Sequence, residues 1–381
     1  MQQKIQCLKK LQFRSMKTIL KNQLIIYLLF FISVFFGCKT QDPVSPIPKP
    51  DVMTKPDTIV KIDTTGLKNA SPFPFGAAIN INTLKTNAIY RTTVIKEFNS
   101  LTAENVMKMK NISLGRGQYF WDDADYLVTF AQTNKMRVHG HTLVWYNSTP
   151  TWITNFIGTK DDWKAILHEY ILAVVGRYKG KIQSWDVLNE AINSDGTYRD
   201  CVWLQNIGIE YIDLCYQYAH EADPNVLLFY NDFGTEYSAP KRTAINKLVT
   251  DLQNRNVPID GIGLQMHTSI DRANSAIQNA ITVAAQTGLK IHLSEFDVNL
   301  NYQFHTIITY DAILAAAQKD KYKITAKAIF DLPANQRYGF TFWGVYDTST
   351  LINATAPDWP LPFDNDFNRK EAYYGILEGL K

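Results

Sequence analysis

The sequence predicts an α/β protein built on a single (β/α)₈ barrel (TIM barrel). Strand-like and helix-like segments alternate from about residue 75 onward, as expected of consecutive βα units. Eight such units fit within the roughly 310 residues that follow the N-terminal region, which is the usual size of one barrel. No glycine-rich phosphate loop follows an early strand, and this disfavours the alternative, a doubly wound open sheet.

Eight short segments rich in β-branched, aromatic and aliphatic residues are the predicted strands. They are Phe75–Ile79, Glu97–Thr102, Arg137–Leu143, Ser184–Asn189, Leu227–Asn231, Gly261–Gln265, Lys290–Ser294 and Gly339–Trp343. The predicted helices are Val94–Glu97, Trp121–Thr133, Asp161–Tyr178, Val202–Ala222, Ala239–Arg255, Asn274–Gln286, Tyr310–Asp331 and Arg369–Leu380. Cys201 and Cys215 lie along one of these helices, about 20 Å apart by helical rise, so we expect free buried thiols rather than a disulfide.

The composition indicates a globular protein with a large core, because 46% of its 381 residues are hydrophobic and 13% are aromatic. Exposed aromatic rings suit flat apolar ligand faces, those of sugars among them. The formal net charge of +3 is misleading, since six Lys and Arg residues and no acidic residue lie before Gly37. The chain after Gly37 carries a net charge of −3 and has no electrostatic footprint for nucleic acid, which is therefore excluded as a partner.

The N-terminal residues have the pattern of a targeting signal. Basic residues up to Lys21 precede a 13-residue apolar run, Leu24–Phe36, which fits a signal-peptide core and is short for a membrane span. Gly37 followed by Cys38 resembles a bacterial lipoprotein cleavage site, at which the cysteine becomes lipidated. We therefore expect an extracytoplasmic protein that is anchored to the outer membrane or cell surface only through a lipid on Cys38.

The chain is predicted to have three parts. Residues 1–37 form the signal peptide, and residues 38–66 form a stiff tether in which prolines such as Pro43 and Pro56 prevent regular structure. Residues 67–381 form the single folded domain.

Polar side chains follow seven of the predicted strands, at the end where barrel enzymes build their sites. These strand ends are Thr102–Lys108, His139–Trp145, Asn189–Glu190, Tyr230–Asp232, Gln265–His267, Ser294–Asp297 and Phe342–Gly344. The need for a soluble surface does not by itself explain why seven strands all have polar residues at the same end. A purely structural network in the barrel mouth is the alternative.

Two of these residues are carboxylates placed for chemistry, Glu190 after the fourth strand and Glu295 after the seventh. Strands three apart in an eight-strand ring face each other across the mouth. Opposed carboxylates are what cleavage of a glycosidic bond requires, because one protonates the leaving oxygen while the other attacks or activates water. No Ser-His-Asp order, metal-ligand run or cofactor loop competes, so we expect neither a metal nor a cofactor.

The ordered motifs resemble glycoside hydrolase family 10, the retaining endo-β-1,4-xylanases, over about residues 70–378. The motifs that carry the resemblance are Thr102–Lys108, Gly140–Trp145, Trp185–Ala191, His220–Pro224, Tyr230–Asp232, Gly261–His267, Ser294–Asp297, Thr341–Val345, Pro362–Asp364 and Tyr373. The resemblance implies a barrel-shaped catalytic domain that hydrolyses xylan, with Glu190 as acid/base and Glu295 as nucleophile.

The resemblance also implies roles for the neighbouring residues. Asn189 would hold the 2-hydroxyl of the sugar bonded to Glu295, while His267 and Asp297 would keep Glu295 ionised and oriented. The residues implied to bind substrate are Glu104, Asn105, Lys108, His141, Trp145, Gln265 and Trp343.

The sequence departs from the family pattern around the sugar sites. Tyr146 and Ser148 stand where the family usually has His and Gln, and Leu351 stands where a second Trp normally roofs the central sugar site. Trp359, in the longer loop that follows, is a candidate to fold back in its place. We expect a wider cleft that tolerates decorated xylan, or a hexose with its additional hydroxymethyl group.

Two other functions stay open at this point. One is the same fold and mechanism acting on a β-glucan or another β-glycan, which Tyr146, Ser148 and Leu351 favour. The other is a non-catalytic lipoprotein that binds xylan, which the presence of both carboxylates disfavours. For each of these functions we expect a monomeric protein that binds xylan, a xylo-oligosaccharide or a related glycan.

Overall fold

The computed structural model describes residues 66–301, 309–349 and 357–381. Within these residues, eight parallel strands pair in chain order, and the first strand also pairs with the last, so that the sheet closes into a barrel. The strands are β1 (Phe75–Ile79), β2 (Ser100–Ala103), β3 (Arg137–Gly140), β4 (Ser184–Asn189), β5 (Leu227–Asp232), β6 (Gly261–Leu264), β7 (Lys290–Asn299) and β8 (Arg337–Phe342). The predicted (β/α)₈ fold is confirmed.

Helices surround the barrel and connect successive strands. Their bounds are Leu67–Ala70, Ile81–Thr86, Ala88–Glu97, Met109–Ile112, Asp122–Thr133, Thr151–Thr154, Lys160–Arg177, Val202–Ile207, Tyr211–Ala222, Ala239–Asn254, Asn274–Ala285, Ala312–Phe330 and Glu371–Gly379. Three shorter extended pieces lie near the carboxyl ends of the strands. They are a hairpin of Ser113–Gly115 with Gln118–Tyr119, the segment Val144–Trp145 paired to β4, and the segment His267–Ser269 paired to β7.

Side-chain caps fix where several of these helices begin. The Asn87 side chain accepts hydrogen bonds from the first backbone N–H groups of Ala88–Glu97, and Asp311 does the same for Ala312–Phe330. Thr159 and Asp162 form a reciprocal capping box at the start of Lys160–Arg177. Local sequence therefore sets the helix starts on the side of the barrel where the strands end.

The sequence prediction is wrong at the start of β2. The sequence pattern predicts Glu97 both as the last residue of a short helix, Val94–Glu97, and as the first residue of the strand. Glu97 does end a helix, but that helix is Ala88–Glu97 and begins well before Val94, and β2 begins only at Ser100. The helix Ile81–Thr86 was also missed. The helix Ala88–Glu97 has almost no apolar face, with only Tyr90, Val94 and Glu97 buried, so its periodicity is weak and does not show its bounds.

The long predicted helix Val202–Ala222 is two helices. Gly208, with a backbone φ of 89°, separates Val202–Ile207 from Tyr211–Ala222. A residue with a side chain would be strained there, so glycine permits the break. Cys201 and Cys215 are both free, as expected, but only Cys215 is buried, whereas Cys201 is partly exposed. They lie on different segments, so their separation does not come from the rise of one helix.

Close packing between the barrel and its surrounding helices requires glycine at Gly140, the last residue of β3. A Cβ atom at this position would lie 2.1 Å from the ring of Trp185, which is fully buried on β4. The large ring therefore fills the space that the glycine leaves, and β3 and β4 stay paired at His139–Ser184 and Gly140–Trp185. This register determines which side chains β4 delivers to the barrel mouth.

A buried carboxylate joins the beginning and the end of the folded domain. Glu97 accepts hydrogen bonds from the backbone N–H of Leu67 at 3.1 Å, from Nη2 of Arg369 at 2.7 Å and from the Tyr373 hydroxyl at 3.1 Å. Glu97 is 2% exposed, so its charge is almost wholly removed from water and depends on these partners.

None of the helices in residues 66–301, 309–349 and 357–381 combines the length and the apolar character needed to cross a membrane.

Replacing Glu97 with Ala should lower the free energy of unfolding by about 3–5 kcal/mol, because the charge of Arg369 then loses its buried partner. Chemical denaturation followed by circular dichroism measures this. Glu169→Ala is the control, since Glu169 pairs with Arg116 in an exposed ion pair whose loss should cost less than about 1 kcal/mol. Equal losses in the two variants would contradict the assignment of Glu97 as a closing contact.

Candidate active site

The candidate acid/base, Glu190, directly follows Asn189, the last residue of β4. Its side chain is buried, with 8% of the residue exposed. Oε1 accepts a hydrogen bond from Nε2 of Gln265 at 3.0 Å and one from Nδ2 of Asn189 at 3.2 Å. Two side-chain amides, one at the end of β4 and one directly after β6, therefore fix one oxygen of this carboxyl group.

The backbone of Glu190 is held in an unfavourable conformation. Its φ is 56°, in the left-handed region that residues with side chains seldom adopt. The N–H of Glu190 donates to the carbonyl of Asn231 at 2.9 Å, and its own carbonyl accepts from Nε of Arg199 at 2.8 Å. The next N–H, of Ala191, donates to the Tyr230 hydroxyl at 3.1 Å. Such strain at a single residue is typical of functional sites whose surroundings fix the geometry.

The candidate nucleophile, Glu295, lies within β7 and is 5% exposed. Oε1 accepts a hydrogen bond from Nδ2 of Asn231 at 2.8 Å, and Oε2 lies 3.3 Å from Nε2 of His267. The other ring nitrogen of His267, Nδ1, is 2.8 Å from Oδ2 of Asp297. The structure thus brings together the three residues that the sequence analysis grouped around the nucleophile.

The environment of Glu295 favours its ionised form. Burial raises the pKa of a carboxyl group, but the hydrogen bond from His267, the nearby charges of His141 and His267, and the donor Asn231 outweigh burial and lower the pKa of Glu295. Burial likewise opposes the charge of His267, yet Asp297 and Glu295 hold the pKa of that imidazole well above its ordinary value. An ionised carboxylate beside an imidazolium is suited to nucleophilic attack.

Asn231 connects the two carboxylates, a role that the sequence analysis missed. Its Nδ2 donates to Oε1 of Glu295 and to Oδ1 of Asn189, both at 2.8 Å, and its Oδ1 accepts from the Ser294 hydroxyl at 2.6 Å. A chain of amides therefore runs from Glu295 through Asn231 and Asn189 to Glu190. The position of Asn231 in the polar end of a strand was the available signal, but its contacts depend on the register between β4, β5 and β7.

The candidate sugar-binding residues after β2 form a second hydrogen-bonded chain. Nδ2 of Asn80 donates to Glu104 at 3.1 Å, Nδ2 of Asn105 donates to Glu104 at 2.9 Å, and Nζ of Lys108 donates to Asn105 at 3.0 Å. The chain starts at Asn80, which sequence reasoning did not select. Burial lowers the pKa of Lys108, and the charges of Glu295, Glu104 and Glu190 partly oppose this shift.

Two tryptophans lie beside Lys108, and a histidine contacts one of them. Its Nζ is 5.1 Å from the ring centre of Trp145 and 5.6 Å from that of Trp343. The rings of His141 and Trp343 meet edge to face, with centres 5.3 Å apart, and Trp343 is 6.3 Å from His267. Contacts between neighbouring side chains therefore join the predicted sugar-binding residues and the two carboxylates into one continuous cluster.

His141 is oriented by Asp186 of β4, a residue that the sequence analysis did not single out. Nδ1 of His141 is 2.9 Å from Oδ2 of Asp186. Burial opposes the charge of Asp186, but the two histidines His139 and His141 outweigh it and hold the pKa of this carboxyl below its ordinary range. An ionised Asp186 fixes the tautomer and the direction of the His141 ring.

The residues that depart from the family pattern are only partly described. Tyr146 is 40% exposed, with the guanidinium of Arg199 4.4 Å from its ring centre, and Ser148 is buried. The ring of Trp359 packs on Tyr310 with centres 5.9 Å apart, and its carbonyl accepts from Nζ of Lys370 at 2.7 Å. Among the described residues it makes no ring contact with Trp343 or His141. Leu351 and Cys38 lie outside the described residues.

In the part of the chain that the structure describes, no cluster of three or more His, Cys, Asp or Glu side chains has the arrangement of a metal site. The expectation that catalysis needs no metal or cofactor stays a prediction.

Comparison with known proteins identifies relatives of the whole barrel. Residues 66–379 match the family model described as glycosyl hydrolase family 10. The chain is 36% identical to endo-β-1,4-xylanase Xyn10C of Cellvibrio japonicus, over 81% of this chain and 56% of that protein. It is 35% identical to exoglucanase XynX of Acetivibrio thermocellus, over 81% of this chain and 29% of that protein. The chain thus spans about half or less of the length of these curated relatives.

A solved structure has the same fold. Xylanase 10C of Cellvibrio japonicus, in complex with xylopentaose, superposes with a TM-score of 0.80 at 34% identity, over 84% of this chain and 69% of that one.

Replacing His267 with Gln should move the acid limb of the pH profile of kcat/KM to higher pH. His267 lowers the pKa of Glu295, so its loss raises that pKa and leaves less ionised nucleophile in mildly acidic solution. Hydrolysis of an aryl β-xylobioside between pH 3 and pH 8 measures the shift. His168→Gln is the control, because His168 pairs with Glu221 on the outer surface. An unchanged acid limb in His267→Gln would show that Glu295 does not depend on His267.

Proposed function

The chain belongs to glycosyl hydrolase family 10, and we propose that it is a retaining endo-1,4-β-xylanase that hydrolyses internal bonds of xylan and arabinoxylan. One observation carries the proposal. Two buried carboxyl groups, Glu190 after β4 and Glu295 on β7, lie in one hydrogen-bonded network beside a surface of aromatic and polar side chains. That arrangement supports double displacement on a sugar polymer.

In the first half of the proposed reaction, Glu295 attacks the anomeric carbon of a bound xylosyl residue. Glu190, as the acid, gives its proton to the glycosidic oxygen, so the bond breaks and the reducing-end part of the chain leaves as an alcohol. A covalent ester then joins the sugar to Glu295, and the negative charge of that carboxylate is lost. Asn189, whose side chain is hydrogen-bonded to both Glu190 and Asn231, would bond the 2-hydroxyl of the sugar.

In the second half, Glu190 acts as a base. It removes a proton from water, the water oxygen attacks the anomeric carbon, and Glu295 leaves as a carboxylate. Two inversions at the same carbon return the original β configuration. The imidazolium of His267 and the amide of Asn231 support the departure of Glu295, because both contacts stabilise its charged form.

The substrate proposal is supported by the names of the relatives. Xyn10C is described as an endo-β-1,4-xylanase, and the solved xylanase 10C holds xylopentaose. A second candidate is the same mechanism acting on a β-glucan. The similarity to a protein described as an exoglucanase favours it, and so does Tyr146, an exposed tyrosine whose ring contacts Trp145.

We also propose that the protein is an extracytoplasmic lipoprotein, anchored through Cys38, and that it acts as a monomer. The basic and apolar pattern before Gly37-Cys38 supports the anchor. A tether of residues 38–66 would let the barrel reach a polymer that is too large to cross the envelope before it is cut.

Wild-type protein should release short xylo-oligosaccharides from xylan and arabinoxylan, and Glu295→Ala should release none, because the ester cannot form. Chromatography of products from xylan, arabinoxylan and mixed-linkage β-glucan measures both points. Release from β-glucan at a rate equal to that from xylan would favour the second candidate. Strict preference for undecorated xylan would contradict the wider cleft, and binding to xylan without any release would indicate a binding lipoprotein.

Replacing Cys38 with Ser should move the protein from the membrane fraction to the soluble fraction, because serine cannot carry the thioether-linked lipid. Cell fractionation and detergent partitioning of the full chain measure this. Cys215→Ser is the control, since Cys215 is buried in the barrel domain. A Cys38→Ser variant that stays in the membrane fraction would contradict the anchor.

A further inference from the structure

A cavity of about 420 Å³ lies next to the candidate sugar-binding residues Glu104 and Asn105. Its lining comes from the end of β1 and the helix Ile81–Thr86, from the loop after β2 and the helix Met109–Ile112, and from the hairpin of Ser113–Gly115 with Gln118–Tyr119 and the residues that follow it. The volume falls within the ~300–1,000 Å³ typical of small-molecule sites, so it has room for at least one sugar ring. Neither catalytic carboxylate lines this cavity.

The hairpin and the residue directly after it present an apolar surface to this cavity. Leu114 is 62% exposed and Phe120 is 43% exposed, and both line it. The neighbours of Phe120, Tyr119 and Trp121, pack against the core and stack on each other with ring centres 4.9 Å apart. Because side chains alternate along an extended segment, inward Tyr119 and Trp121 turn Phe120 outward.

Backbone hydrogen bonding fixes the position of Phe120. Its N–H donates to the carbonyl of Ile112 at 2.8 Å, and Ile112 ends the helix that follows Lys108. The ring of Phe120 has no aromatic or cationic partner among the residues that the structure describes. An exposed ring on a fixed backbone is a stacking surface that loses little entropy when a ligand binds.

A chain of hydrogen bonds links the lining of this cavity to Lys108 beside the catalytic residues. Lys108, beside Trp145 and Trp343, donates to Asn105, Asn105 donates to Glu104, and Glu104 accepts from Asn80. Glu104, Asn105 and Asn80 also line the cavity. A polysaccharide bound at the two carboxylates, with its non-reducing part lying along Lys108, would therefore extend toward Phe120.

The polar lining suits hydroxyl groups. The side chains of Asn82 and Lys110 face the cavity and form no hydrogen bond or ion pair within the described ranges, so they are available to a ligand. Asp123 also lines it but is paired with Lys85. An apolar platform with separate polar groups around it matches a pyranose, which has flat C–H faces and hydroxyls at its edge.

We infer that this cavity is a distal subsite that binds a β-1,4-linked xylosyl residue on the non-reducing side, beyond the sugar held by Glu104 and Asn105, with its ring stacked on Phe120. The inference rests on the proposed function. It assigns the chain a preference for longer substrates, because a fragment too short to reach Phe120 gains nothing from the subsite.

The test compares a long and a short substrate in wild type and Phe120→Asn. Xylohexaose is long enough to reach Phe120, whereas 4-nitrophenyl β-xylobioside has two sugars and ends before it. Loss of the stacking surface should lower kcat/KM on xylohexaose by about tenfold and leave the aryl xylobioside unchanged. Phe120→Tyr keeps the ring and should retain the wild-type value on xylohexaose.

Ile95→Asn is the matched control, because Ile95 is 38% exposed near the end of the helix Ala88–Glu97, where the chain enters the opposite end of the barrel. It should change neither substrate. Equal losses on both substrates in Phe120→Asn, or no loss on either, would overturn the distal subsite while the xylanase proposal stands. No cleavage of either substrate by wild type would instead overturn the proposed function on which the subsite rests.

Discussion

The candidate site depends on one constraint: two carboxyl groups must be buried near each other, and yet one must act as an acid and the other as a nucleophile. Fixed amides solve this, since Asn231 donates to Glu295 and to Asn189, and Asn189 and Gln265 donate to Glu190. Each donor comes from a different part of the barrel wall, so the contacts exist only when the ring of strands is closed in the correct register. The closed barrel therefore keeps the two carboxyl groups buried and fixes the position of each one.

The scaffold also stores conformational strain where the chemistry is proposed. Glu190 has a left-handed backbone that costs roughly 1–2 kcal/mol, and its neighbours Asn231, Arg199 and Tyr230 supply the hydrogen bonds that hold it. Tyr230 in turn donates to Asp232, which pairs with the buried Lys241 at 2.7 Å. The polar residues behind the acid/base thus form a support that extends from the strand end to the outer helix Ala239–Asn254.

The sequence was sufficient to predict the barrel and the approach of two carboxylates, because both depend on chain order: polar residues toward the carboxyl ends of strands four and seven come together once eight strands close. Strand seven runs past its predicted end at Ser294 to Asn299, so Glu295 lies within it rather than after it. It did not reveal the link made by Asn231, nor Asn80 beneath Glu104, because those contacts depend on distances between strands that a pattern does not contain. The start of β2 was misplaced since Glu97 is a buried charge at the end of a nearly unpatterned helix. Phe120 was overlooked because a single exposed ring has no sequence signature.

Labelling of the nucleophile tests the central claim most directly. A 2-deoxy-2-fluoro-β-xylobioside with a reactive leaving group forms the glycosyl ester but releases it slowly, because fluorine removes the 2-hydroxyl contact and destabilises both transition states. Mass spectrometry of the digested protein should then find one added disaccharide on the peptide that contains Glu295, and none in Glu295→Ala. A label on Glu190 or another carboxylate, or turnover of xylan with no covalent label, would contradict the account.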